Sequence, residues 1–204
     1  RVAGIVHIDT GINLTGDYSD PLSKALACFE QELDTDEGWA SFNRHVWERD
    51  WPKAAEFFVR QANTDSHSGR AREEGLEWAL EADPRSTTAL TVELARGYND
   101  ESLQALRPLL ADLTCPQLVI HGTDDHVSPY PWGQELADTI DAPLHTVTGG
   151  GHCPQIRYPA MVNRTLREFT SRAFGLPAPS PTRQPSRGSS SPRVLYLSSP
   201  IGLG

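Results

Sequence analysis

The chain opens on an apolar stretch, Val2–Ile8, that is rich in β-branched residues and shows no helical period. Such a run predicts a strand buried on both faces, as in a parallel sheet. Asp9, Thr10 and Gly11 end it. From residue 12 to 112 the pattern changes to helical spacing, with charged and aromatic residues interleaved. Asp20-Pro21 places a capping side chain ahead of a proline at the first helical position. Asp36, Ser68, Pro84 and Asp100 mark further starts, each followed by apolar residues at three- and four-residue intervals. This segment predicts roughly five or six short helices and no strand.

The pattern then switches again. Gln117–His121 is a short apolar run closed by Gly122. A polar loop follows, then a helical pattern over Pro131–Ile140, a strand over Pro143–Thr148, three glycines, and a last helix over Pro159–Phe174. Strand, helix, strand, helix with short loops predicts a parallel sheet covered by helices. Between Leu176 and Arg193 the 18 residues hold five prolines, five serines and no acid, which reads as a semi-rigid linker. The RVLYLSS run after it predicts a new strand without a partner of its own in this chain. The expected division is 1–11 core strand, 12–112 helical insertion, 113–175 core, 176–192 linker and 193–204 the first strand of a truncated second domain.

Composition narrows the class. A hydrophobic fraction of 38% and a charged fraction of 22% fit a globular chain. There is no apolar run of about 18 residues, so no membrane span is expected. The net charge of -9 is uneven: all 27 acids lie at or before Glu168, and the residues after it carry only arginines. An acidic main body argues against nucleic-acid binding. Three cysteines, Cys28, Cys115 and Cys153, form an odd set without metal-like spacing, which points to a reducing, cytoplasmic setting. An arginine at position 1 and an apolar run reaching Gly204 suggest an internal piece of a longer protein.

Two loops carry candidate chemistry, and each directly follows a predicted buried strand. They are HGTDDHVSP (His121–Pro129) and GGGHCPQIRYP (Gly149–Pro159). Groups at the carboxyl ends of parallel strands are well placed for a site. A carboxylate and a histidine held on adjacent strand ends suit acid–base–nucleophile chemistry, in which the acid fixes the imidazole and the imidazole takes the nucleophile's proton. Other roles stay open for the same residues. Asp124 or Asp125 would also serve as ordinary turn residues, His152 as a structural loop histidine, and His121, Asp124, Asp125 and His126 as metal ligands, although no further ligand cluster supports a metal.

Taken together, DLTCPQLVIHGTDDHVSP and TVTGGGHCPQIRYPAMVNRTLREF resemble the acid and histidine segments of the α/β-hydrolase family. The resemblance covers Arg1–Thr10 and about Asp112–Phe174. It implies an α/β fold with a parallel sheet, of which the C-terminal strands are present, and an inserted all-helical cap. It implies Asp125 as catalytic acid and His152 as catalytic histidine, with Asp9 as the alternative acid by its place after the preceding strand. The family's G-x-S-x-G nucleophile elbow is absent from this chain. The resemblance places the nucleophile about 15–25 residues upstream of Arg1, so the chain by itself is expected to be inactive.

The implied activity is hydrolysis of an ester or similar small apolar acyl substrate, with no cofactor and no metal. An aspartate nucleophile would instead imply a haloalkane dehalogenase or an epoxide hydrolase. A fold that had lost its nucleophile would be a non-catalytic binding module. Trp39, Trp47 and Trp132 are candidate substrate-lining residues, with core packing as the other role open to them. The last dozen residues, with Gly202 and Gly204 after a strand, resemble the opening of nucleotide-sugar glycosyltransferases. That resemblance implies a covalently linked C-terminal domain, to which the hydrolase region would be ancillary.

Overall fold

The computed structural model of the chain describes residues 2–65 and 67–176 and the backbone of 194–197. Strand β1 (Gly4–Ile8) comes first. A helical segment follows: α1 (Pro21–Ala27), a 3-10 turn at Gly38–Ser41, α2 (Arg44–Arg49), α3 (Trp51–Ala62), α4 (Gly69–Glu81), α5 (Pro84–Gly97), α6 (Asp100–Gln104) and α7 (Leu106–Ala111). The chain then returns to the sheet through β2 (Gln117–Gly122), α8 (Tyr130–Thr139), β3 (Leu144–Val147), α9 (Pro154–Arg157), α10 (Pro159–Phe174) and β4 (Val194–Leu197).

The described strands form one parallel sheet in the order β3-β2-β1-β4. The register pairs Val6 with Leu118 and Ile120 with His145. Burial on both faces explains the unbroken apolar runs. On one face Val6, Leu118, Ile120 and Val147 pack against Val162 and Phe169 of α10. On the other, Val119 packs with Leu14 and with Leu136 and Ala137 of α8. His7 is the polar exception in β1. It is fully buried and its Nε2 lies 3.0 Å from Gln117 Oε1, so its polarity is matched by the neighbouring strand.

The helical segment has a separate aromatic core. Phe29 meets Trp47 edge-on at 4.9 Å between ring centres, and Phe42 meets Trp47 at 5.0 Å. Val127 and Trp132, from the region after β2, join this cluster and tie the cap to the sheet layer. Local signals set the helix starts. Asp20 accepts the Ser23 N–H at 2.8 Å, with Pro21 at the first position. Asp83 and Pro84 repeat the device in α5.

The expected elements are largely present, with instructive differences. Among the described residues the cap holds seven helices rather than about five or six. The stretch after Asn99 breaks at Ala105 because Pro108 has no N–H for the Gln104 carbonyl and its ring crowds that carbonyl. Asp36 is not a helix cap. It pairs with Arg49 and Lys53 at 2.8 Å each, and the chain around it makes only a 3-10 turn. The predicted loop Gly149–Pro159 contains the short helix α9.

Val194–Leu197 was expected to stand without a partner. It instead pairs in parallel with β1, Ile5 opposite Leu195 and His7 opposite Leu197. The free edge of β1 offers a row of backbone donors and acceptors that such a strand can satisfy. Most of the expected linker, and Gly202 and Gly204, lie outside the described residues. No described helix is long and apolar enough to cross a membrane.

Candidate active site

The two polar loops meet at the carboxyl edge of the sheet. Asp125 lies three residues beyond the end of β2 and is 6% exposed. Its Oδ1 accepts the N–H groups of Val127 and Ser128, both at 2.8 Å. Those two bonds fix the carboxylate in its own turn and leave Oδ2 for another partner. That partner is His152, whose Nδ1 lies 2.9 Å from Asp125 Oδ2. With Nδ1 donating, Nε2 keeps a lone pair and can accept a proton.

The glycines allow this approach. A Cβ on Gly122 would lie 2.2 Å from the Gly150 carbonyl oxygen, so the acid loop and the glycine loop touch backbone to backbone. Gly149 has φ +70°, a left-handed turn that suits glycine. The backbone is stitched across the same gap: Thr123 N–H donates to Val147 O at 3.0 Å and Asp124 N–H to Gly150 O at 2.9 Å. The cap completes the anchorage. His152 N–H donates to the Ala62 carbonyl at the end of α3 at 3.0 Å, and Thr64 Oγ1 donates to Asp124 O at 2.8 Å.

Asp9 sits elsewhere in this arrangement. It follows β1, is 1% exposed, and adopts φ +43°. Its Oδ1 accepts the Gly122 N–H at 2.8 Å. Burial first, and then the nearby Asp125, push its carboxyl well above the usual range. Of the two acids considered from sequence, the structure pairs Asp125, not Asp9, with His152.

His121 takes a place that sequence reasoning offered only as a metal ligand. It is fully buried, donates from Nε2 to the Ser128 carbonyl at 2.8 Å, and lies 3.5 Å from Asp125 Oδ2. Burial lowers its pKa, which favours the neutral ring. Asp9, His121 and Asp125 stand close enough together to share a cation, but their facing atoms are engaged by Gly122, Ser128 and His152. Asp124 and His126 are half-exposed and pair with each other at 3.3 Å, apart from this cluster. The Cys153 thiol beside it is pushed up to about 12 by burial and then by Asp9 and Asp125, so it stays protonated near neutral pH.

The three tryptophans separate. Trp132 is buried against Tyr98, with ring centres 6.1 Å apart. Trp39 packs on Phe57 at 5.3 Å. Trp47 lines a cavity of about 260 Å³, with Phe42, Trp51, Phe58 and Leu90 among the other walls. The α3 residues Ala54, Ala55 and Val59 form one side of it, and the same helix ends at Ala62, where His152 is held.

Residues 95–173 match the family described as TAP-like protein. That match ends before the Pro/Ser stretch. A putative carbamate hydrolase, RutD, of Variovorax paradoxus strain S110 is 39% identical over 72 residues, which is 34% of this chain and 27% of that protein. Among solved structures, a hydrolase from Oleispira antarctica superposes with a TM-score of 0.59 at 19% identity, covering 83% of this chain and 56% of that one. An esterase from Exiguobacterium antarcticum gives 0.57 at 17% identity, covering 83% and 57%. The chain thus spans about a quarter of the curated relative and little more than half of each structure. Its fold is that of the α/β-hydrolases, with a parallel sheet and a helical cap.

Proposed function

We propose that the chain supplies the acid and the base of a triad hydrolase acting on an ester or similar small acyl substrate. The observation that carries this is the buried 2.9 Å contact between Asp125 Oδ2 and His152 Nδ1, made where two loops meet at the carboxyl edge of the sheet. The nucleophile of this reading is a serine upstream of Arg1, on a strand-to-helix elbow. The serine hydroxyl attacks the substrate carbonyl while its proton passes to His152 Nε2. Asp125 holds the ring in the required tautomer and stabilises the imidazolium. His152 then gives that proton to the departing alcohol, leaving an acyl-enzyme. A water attacks the acyl carbon, His152 takes the water's proton, and the acid product leaves as the serine recovers its hydrogen.

The cavity in the cap is walled mainly by aromatic and aliphatic side chains, which suits an apolar group, and neither Asp125 nor His152 is among its walls. A carbamate carbonyl would undergo the same sequence of steps, and the name of the Variovorax relative makes that class worth including.

The test uses the full-length protein with the sequence that precedes Arg1. A fluorophosphonate probe should label one serine there, and His152→Ala should abolish labelling together with hydrolysis of a short p-nitrophenyl ester. Labelling and turnover undiminished in His152→Ala would contradict the proposal.

A further inference from the structure

Asp9 is a buried acid for which the triad has no use. It follows β1, the strand that pairs with the one leading to Asp125. A carboxyl group at 1% exposure is costly unless the fold needs it. So is its backbone, since φ +43° is uncommon for anything but glycine, asparagine or aspartate. Among the described residues the side chain makes one hydrogen bond, from the Gly122 N–H to Oδ1 at 2.8 Å, and Oδ2 is buried without a partner there.

We propose that Asp9 is a positioning residue for Asp125: by accepting the Gly122 N–H, it fixes the point from which the acid loop leaves the sheet. This rests on the reading of Asp125 and His152 as acid and base. Gly122 is where β1, β2 and the glycine loop converge, since a Cβ there would meet both Gly150 and Gly151. Three residues later comes Asp125, clamped beyond by Val127 and Ser128 and by the His121–Ser128 bond. Asp9 holds the near end of that loop and His121 the far end.

Burial in the fold pushes this carboxyl toward its neutral form, and the adjacent Asp125 acts in the same direction. The oxygen that accepts an N–H is then the carbonyl oxygen, and the proton sits on Oδ2. A neutral Asp9 puts no second negative charge beside Asp125. An asparagine would reproduce it, with an amide oxygen toward Gly122, no charge, and tolerance of the left-handed backbone. Glycine removes the carboxyl while keeping the backbone relaxed.

The experiment compares wild type, Asp9→Asn, Asp9→Gly and Asp125→Asn in the full-length protein. The downfield proton resonance of His152 Nδ1–H is read by NMR, and kcat and KM with a short p-nitrophenyl ester. Wild type should show the resonance and Asp125→Asn should lose it. Asp9→Gly should shift or broaden it and lower kcat by up to about 100-fold, with KM little changed. Asp9→Asn should recover most of both. Wild type and Asp9→Gly that match in resonance and kcat would overturn the proposal. So would an Asp9→Asn protein as impaired as Asp9→Gly at equal thermal stability, because a charged carboxylate would then be required. Should Asp9→Gly not fold, hydrogen exchange at the Gly122 amide decides: protection in wild type and Asp9→Asn supports the brace, and fast exchange in wild type contradicts it. A wild type without the His152 resonance would remove the Asp125–His152 pair itself, a failure distinct from the others.

Discussion

At the scale of single residues, the site depends on a few buried polar groups whose environments set their charge. Asp9 carries a folded-state pKa above its unfolded value because burial and Asp125 both disfavour the anion. The neutral form is therefore favoured in the folded chain, and stability is lost as pH rises from the unfolded Asp value through the raised folded one. An amide in its place cannot ionise. Asp9→Asn should thus gain stability relative to wild type as pH rises from the unfolded Asp value, measured by urea unfolding at a series of pH values upward from about 4. A difference that stayed constant as pH rose through that range would show that Asp9 ionises in the folded chain as it does in the unfolded one. His121 has the opposite sense. Its pKa is lowered by burial, so its contribution is present above the unfolded His value of about 6.5 and is lost as pH falls below it.

Steric limits act at the same scale. A Cβ on Gly122 would fall 2.2 Å from the Gly150 oxygen, and one on Gly133 would fall 2.3 Å from His121 Nδ1. Gly122→Ala should lower unfolding free energy by about 1–3 kcal/mol and separate the two loops. That Asp125 and His152 would stand on neighbouring loops was legible from the two buried strands that precede them. The roles of His121 and Asp9 were not, since both depend on contacts between strands that no local pattern encodes.

Elements reveal which local signals bind the chain and which yield to packing. The Asp20–Pro21 start works as its sequence suggests, with Asp20 accepting from both the backbone and the hydroxyl of Ser23. Asp20→Ala should destabilise the chain by about 1 kcal/mol in equilibrium unfolding. No loss would mean that packing alone holds α1. Asp36 has the same residue type without a helix behind it, because ion pairs to Arg49 and Lys53 claim its carboxylate. β1 and β2 were legible as continuous apolar runs. The partner of β4 was not, because a four-residue strand carries no statement of which edge it will join. The split of α6 from α7 was written in Pro108 and is clear once the Gln104 carbonyl is considered.

On the scale of the whole molecule, the cap and the sheet layer meet where the candidate chemistry lies. The end of α3 holds His152 through Ala62, and Val127 and Trp132 carry the region after Asp125 into the cap's aromatic core. A sheet with a helical insertion was legible from the switch between continuous apolar runs and helical patterns. The meeting of α3 with the glycine loop was not, since residues 62 and 152 are linked only through the tertiary fold. The proposed chemistry depends on which carboxylate serves His152. The most direct measurement is kcat for a short ester in the full-length protein bearing Asp125→Asn or Asp9→Asn. The structure predicts a fall on the order of 10⁴-fold for Asp125→Asn and most of the activity retained for Asp9→Asn. Full activity in Asp125→Asn with loss in Asp9→Asn would contradict it.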